Sequence, residues 1–300
     1  EERRINKTTP FEMVLLYVNI VGLIRYTYRS EILSLSINIT VAYPSERLSY
    51  QVPAKDGQFG ETFPYSSGMT FQTIYLLHGG SDDDTLPFRF TNIERYAVEN
   101  CVMIVCAQAC DSFYIDTAYG FPFFQFFTEE LPRVVQALFA SSPLREDNFV
   151  VGFAMGGNGA LSFALRKPDF FSAAVNLSGG IGCMVDEFNY SQQMKEVPMP
   201  RLRHAFGYPS RNAVGPDHLF KLATQLCQTP HILPSLYIAV GENDFIRNTV
   251  RRERDALQRA GLPFHYEEAP GLGHEWKFWD IYFKKALEEW LPLKRKPIYR

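Results

Sequence analysis

What this chain of 300 residues lacks narrows it first. It has no basic surplus: 30 Lys and Arg stand against 33 Asp and Glu, a net charge of -3. A phosphate-binding surface usually carries such a surplus, so nucleic acid is excluded as a partner and small neutral substrates fit better. Cysteine is sparse. The five (Cys101, Cys106, Cys110, Cys183 and Cys227) are odd in number and lack paired C-x-x-C spacing. That argues against a zinc site, implies no disulfide framework and favours buried thiols. There is no H-E-x-x-H motif, so no metal and no cofactor is expected. Long hydrophobic runs are missing too: Phe11 to Ile24 is broken by Glu12 and Asn19 and falls short of the ~20 residues that span a bilayer. No small-residue cleavage site follows it, so neither a membrane segment nor a secretory signal is expected, and the location is read as cytoplasmic.

What is present is a core. At 46% hydrophobic residues the chain buries enough for one α/β domain over residues 1–300. The stretch that organises it runs from Asn148 to Pro168, NFVVGFAMGGNGALSFALRKP. An apolar run ends at a glycine-flanked turn, and apolar residues at helical spacing (Leu161, Ala164, Leu165) follow. Strand, sharp turn and helix are the context of the G-x-S-x-G nucleophile elbow, whose glycines let the backbone crowd while the central residue stands at the end of a sheet. Here the central residue is Ala154. The position suits a nucleophile that this chain does not carry.

Elsewhere Leu33, Leu35, Ile37, Ile39 and Val41 alternate with polar residues, which predicts a half-buried antiparallel edge strand; residues 1 to 24 are ambiguous. The sequon Asn38-Ile39-Thr40 lies inside that strand and is read as chance. Beyond the loop-like stretch Pro44 to Met69, strands are predicted at Thr73–Leu77, Val102–Ala107, Phe149–Phe153, Ala173–Leu177, Leu236–Val240 and Phe264–Glu268. Helices are predicted at Asn92–Asn100, Phe127–Ala140, Arg247–Ala260 and Trp276–Leu291. This alternation predicts a mostly parallel sheet with helices on both faces and the ligand at the carboxyl ends of the strands. The insertion Gly182 to Pro234 is a candidate lid. The mixed run Arg251-Arg252-Glu253-Arg254-Asp255 reads as a solvated face, and Trp279, Tyr282, Phe283, Ala286 and Trp290 as one buried helix face.

An elbow needs three companions at strand ends, in the order oxyanion loop, acid, histidine. His78-Gly79-Gly80 closes a strand with a glycine pair, so the Gly80 N–H and that of Met155, after the elbow residue, are the candidate oxyanion donors. A plain glycine turn is the bland reading. Asp244, in Val240-Gly241-Glu242-Asn243-Asp244-Phe245, is the leading acid over Glu242 and Asp217, although an aspartate before a helix also serves as an N-cap. His274, in Pro270-Gly271-Leu272-Gly273-His274, lies between a strand and the last helix. There a neutral imidazole could take a nucleophile's proton while Asp244 fixes its tautomer.

The runs YLLHGGSDDDT (Tyr75–Thr85), TNIERYA (Thr91–Ala97), SFYIDTAYG (Ser112–Gly120), FFTEELP (Phe126–Pro132) and GFAMGGNGAL (Gly152–Leu161) together resemble the esterase D group of α/β-hydrolases. That group includes S-formylglutathione hydrolases, feruloyl and acetyl esterases, and mycolyltransferases. The resemblance covers about Glu31 to the terminal helix. It implies an α/β-hydrolase fold, an oxyanion hole at Gly80 and Met155, a nucleophile at position 154, and a triad completed by Asp244 and His274.

The departure is Ala154, since alanine cannot attack a carbonyl and loss of a triad serine costs on the order of 10⁶ in kcat. With the other three parts kept, a deliberate serine-to-alanine form is favoured over a natural pseudoenzyme that only binds. The expected activity is that of a serine-type carboxylic-ester hydrolase, a feruloyl or acetyl esterase acting on plant polysaccharide side chains, with an S-formylglutathione hydrolase as the alternative. Its partner would be a small-molecule ester or esterified saccharide, and a homo-oligomer is left open. The aromatic run Phe113, Tyr114, Tyr119, Phe121, Phe123, Phe124, Phe126 and Phe127 either lines an acyl pocket or packs the core. Tyr114, Phe124 and Trp276 are the candidate substrate contacts.

Overall fold

A computed structural model describes residues 22–44, 67–118, 120–180, 200–207, 216–230 and 232–299. In chain order its strands are β1 (Gly22–Arg29), β2 (Ser36–Tyr43), β3 (Met69–Thr70), β4 (Thr73–Leu77), β5 (Met103–Ala107), β6 (Asn148–Phe153), β7 (Ala173–Leu177), β8 (Ser235–Gly241), β9 (His265–Ala269) and β10 (Ile298–Tyr299). The main sheet has the order β1-β2-β5-β4-β6-β7-β8-β9, and β3 pairs with β10 in a small second sheet. β2 is antiparallel to both β1 and β5; from β5 to β9 all pairings are parallel.

The central strands β4 to β7 are buried at every residue because helices cover both faces. Alternate side chains feed two cores. Tyr75, Leu77, Val105 and Val150 point to one, beneath the helices Met155–Arg166, Pro216–Cys227 and Arg247–Arg259. Ile74, Leu76, Ile104 and Val151 point to the other, beneath Ile93–Glu99 and Trp276–Lys285. The shared face of the last helix is core as expected, with Phe283 and Ala286 fully buried.

The edge departs from expectation. β1 is the outermost strand, and it gave no alternating signal because nearly all of it is exposed. β2 starts three residues later than the expected Leu33, since the Ser30 hydroxyl takes the Leu33 N–H and holds residues 31–33 in a turn. In the candidate lid, residues 182–199, 208–215 and 231 lie outside the described residues. The helix Pro216–Cys227 packs Leu219, Ala223 and Leu226 into the core, so that part of the insertion belongs to the wall of the fold. The mixed-charge run is not wholly solvated, because Glu253 is buried. Of the described cysteines, Cys101 and Cys106 are buried and Cys110 and Cys227 exposed.

Candidate active site

β6 ends at Phe153 and the next helix begins at Met155, so Ala154 alone makes the turn. Its φ of 49° and ψ of -115° lie where side-chain-bearing residues seldom sit, and such strain persists only where the surroundings impose it. Two glycines impose it here. A Cβ on Gly152 would stand 1.9 Å from the Gly156 carbonyl oxygen, and one on Gly156 would stand 2.1 Å from that of Leu77. Bare backbone at both positions is what lets the helix start press against the ends of β6 and β4. The Ala154 N–H donates to the Leu177 carbonyl on β7 (2.9 Å), which ties the turn to the sheet.

The loop after β4 lies against this turn. A Cβ built on Gly79 would be 3.6 Å from the Ala154 methyl carbon and 2.8 Å from Asp82 Oδ2. His78 is fully buried and braces the loop. Its Nε2 accepts the Ala109 N–H (2.9 Å), which requires the proton on Nδ1, and Nδ1 donates to the Gly79 carbonyl (2.7 Å). Burial lowers the pKa of this ring and keeps it neutral. The Tyr114 hydroxyl donates to the His78 carbonyl (2.9 Å), and Asp82 accepts the Gly79 N–H (3.2 Å). Among the described residues, no acceptor takes the N–H of Gly80 or of Met155. Two amides at adjacent strand ends are thus free to meet a ligand oxygen.

Asp244 follows β8, and its carboxylate is shut off from solvent. His274 follows β9, and its Nδ1 donates to Asp244 Oδ2 at 3.0 Å. The other carboxylate oxygen takes the Ile246 N–H (2.9 Å). Burial opposes the charge on Asp244, but the bonds from His274 and from Ile246 outweigh it, and the pKa falls below the ordinary carboxylate value. Glu242, the competing acid, does another job. It accepts the Gly271 N–H (2.9 Å), and with the Asn243 N–H on the Leu272 carbonyl (2.8 Å) it laces the acid loop to the histidine loop. The side chain of Asp217 lies outside the described residues. The imidazole stands edge-on to Trp279 (5.0 Å between centroids), and Trp279 stacks on Phe153, the neighbour of Ala154 (5.9 Å).

The three expected substrate contacts fare differently. Tyr114 is fully buried with its ring against Phe127 and Phe163, so it supports the glycine loop from below. Phe124 packs against Phe163, eight residues and ~12 Å along the helix from Met155, with the Arg166 guanidinium 3.6 Å over its ring. It is therefore remote from the elbow. Phe113, Phe123, Phe126 and Phe127 are buried likewise, Phe121 is half-buried against the core, and Tyr119 lies outside the described residues. Trp276 does sit beside the pair, edge-on to Trp279 (4.9 Å), but Phe90 stacks on it (5.1 Å).

Two neighbours of the site leave no signal in the sequence. Asp82 stands within a run of three aspartates that gives no hint which one takes the Gly79 N–H. Phe245 is 75% exposed, yet its ring lies 4.7 Å from that of His274.

A parallel sheet with an antiparallel edge, carrying a strained strand-to-helix turn after β6 and a carboxylate–imidazole pair in the loops after β8 and β9, is the architecture of an α/β-hydrolase. Residues 62–290 match the family model described as "Putative esterase", and the chain belongs to that family of esterases. An acetyl esterase of Caldicellulosiruptor saccharolyticus is 28% identical over 225 residues, 72% of this chain and 82% of that protein. Among solved structures, a fluorophosphonate-binding serine hydrolase of Staphylococcus aureus superposes with a TM-score of 0.73 at 28% identity, over 89% of this chain and 97% of that one. The S-formylglutathione hydrolase of the same organism gives 0.67 at 28%, over the same shares. Among the described residues no helix is long and apolar enough to cross a membrane.

Proposed function

We propose that the chain is the framework of a serine-type carboxylesterase with the nucleophile's hydroxyl removed at position 154. The observation that carries this is the His274–Asp244 pair, held at 3.0 Å in the loops after β8 and β9, at the same carboxyl end of the sheet where β6 presents a residue kept at φ 49° with nothing to deliver. With serine there, Nε2 of His274 accepts the hydroxyl proton as the oxygen attacks the ester carbonyl, and the oxyanion takes the N–H groups of Gly80 and Met155. Collapse expels the alcohol, which leaves with the proton from His274. Water, deprotonated by the same imidazole, then releases the acid. Asp244 fixes the tautomer that leaves Nε2 free. As it stands, the alanine chain binds an ester without forming an acyl-enzyme.

For the substrate, the likeness to an acetyl esterase supports a short acyl group, and the burial of Tyr114 and Phe124 takes away two of the aromatics that a feruloyl group could have met. Acetyl groups on polysaccharide side chains are the preferred substrate. The likeness to an S-formylglutathione hydrolase supports a second reading, a thioesterase for an equally short acyl group. The retained strain at Ala154 favours substitution of a single residue over gradual decay, and the sequence of the source gene at this codon checks it. The test of function is the Ala154→Ser chain with p-nitrophenyl acetate, methyl ferulate, acetylated xylo-oligosaccharide and S-formylglutathione. Turnover of acetates well above ferulate is expected. No turnover of any ester would leave only a binding protein.

A further inference from the structure

Phe245 directly follows the buried acid. Isolated apolar side chains on a surface are ordinary, but this one touches the imidazole: 4.7 Å separates the two ring centroids, with the planes 53° apart. Its backbone is pinned on both sides, because Asp244 accepts the Ile246 N–H through its side chain and the Arg247 N–H through its carbonyl. The phenyl ring is thus held beside His274 with most of its surface toward solvent.

The reaction assigned to the site gives that place a meaning. When the first tetrahedral intermediate collapses, the imidazole hands its proton to the leaving oxygen, so the alcohol must lie within hydrogen-bond reach of His274. In the same reaction the carbonyl oxygen is held instead by the Gly80 and Met155 amides. A solvent-facing ring against the imidazole therefore meets the alcohol half of the ester and not the acyl half. Ring contacts continue from His274 through Trp279 and Trp276 to the exposed Phe90, but of the two exposed rings only Phe245 has the imidazole as its direct neighbour among these contacts.

We propose that Phe245 is a specificity-determining residue for the leaving group, a wall on which the face of a ring-bearing alcohol lies during acylation. This deepens the esterase reading and rests on it. The shared chemistry is a flat or pyranose ring with an apolar face, and the source is an aryl or a sugar alcohol.

The experiment compares Ala154→Ser with Ala154→Ser/Phe245→Ala on three acetates that differ only in the alcohol: ethyl acetate, 4-methylumbelliferyl acetate and acetylated xylobiose. The proposal expects kcat/KM to fall about tenfold for one or both ring-bearing esters and to change less than about twofold for ethyl acetate. Which ring ester suffers identifies the source. The steady rate after any burst should not move, since the alcohol has left before deacylation. Equal losses on all three esters, or a shifted pH profile, would mean that Phe245 merely steadies His274 and would overturn the proposal. So would no loss at all. A parallel arm uses the alanine chain itself, with tryptophan fluorescence reporting the binding of intact 2-naphthyl acetate. Phe245→Ala should weaken that binding about tenfold, and unchanged binding counts against the wall. Failure of Ala154→Ser to turn over any ester would instead strike the proposed activity, and the binding arm tells the two failures apart.

Discussion

Asp244 and His274 reach each other from loops that follow neighbouring strands, β8 and β9, and meet at 3.0 Å between Oδ2 and Nδ1 with the carboxylate closed to solvent. The parallel pairing delivers both loops to one edge of the sheet, and the Gly271–Glu242 and Asn243–Leu272 bonds fix their spacing. Asp244→Asn in the Ala154→Ser background should therefore lower kcat by about 10⁴, the scale found when a triad acid becomes an amide, while KM changes little. Steady-state kinetics on p-nitrophenyl acetate checks this.

The same carboxylate carries a stability signature. Its folded pKa is depressed, so the stability it contributes is fully present above the ordinary carboxylate range and is lost as the pH falls through the lower folded value. Melting curves of the chain and its Asp244→Asn variant should differ at pH 7, with the variant lower, and should converge in acid. A difference that persists undiminished in acid would contradict the charge-assisted pairing.

Asp82 behaves oppositely. Burial raises its pKa, the charges of Asp83 and Asp111 add to the rise, and the Gly79 N–H and Arg89 only partly offset it. A raised folded pKa means that stability is lost as the pH climbs from the ordinary carboxylate value through the folded one. Asp82→Asn keeps an acceptor for Gly79 and removes the charge, so it should raise Tm by about 1–2 °C at pH 8 and by less at pH 4. Scanning calorimetry at the two pH values decides. A lower Tm at pH 8 would mean that the loop needs the charge.

Tyr114 acts through the loop it supports. Tyr114→Phe leaves the His78 carbonyl without its hydroxyl donor in a buried site, which loosens the turn that presents Gly80. In the Ala154→Ser background kcat should fall about tenfold with KM nearly unchanged, because an oxyanion contact is made mainly in the transition state. A rise in KM at constant kcat would show that Tyr114 helps to bind the ground state.

Much of this was legible in the chain for physical reasons. β4 and β7 lie where largely apolar runs, broken in β7 only by Asn176, end in polar and glycine residues, because strands buried on both faces carry that pattern. The elbow was visible because Gly152 and Gly156 leave no room for side chains. Asp244 and His274 followed from the order of strand ends. β1 was hidden since a strand exposed along its length has no periodicity to read. Tyr114 and Phe124 were misplaced because core and pocket draw on the same aromatics, and only the fold sends their rings under the loop or to the far end of a helix. Phe245 was missed since exposure of one side chain next to an acid leaves no mark on composition or spacing.

The most direct test is chemical. A fluorophosphonate probe loses fluoride when an activated hydroxyl attacks its phosphorus, so it reports the nucleophile, its base and the amides together. The account predicts that Ala154→Ser gains one covalent adduct by intact-protein mass spectrometry, mapped by digestion to position 154, while the alanine chain and an Ala154→Ser/His274→Ala chain gain none. An unlabelled Ala154→Ser protein that is properly folded, or an adduct that maps elsewhere, would contradict it.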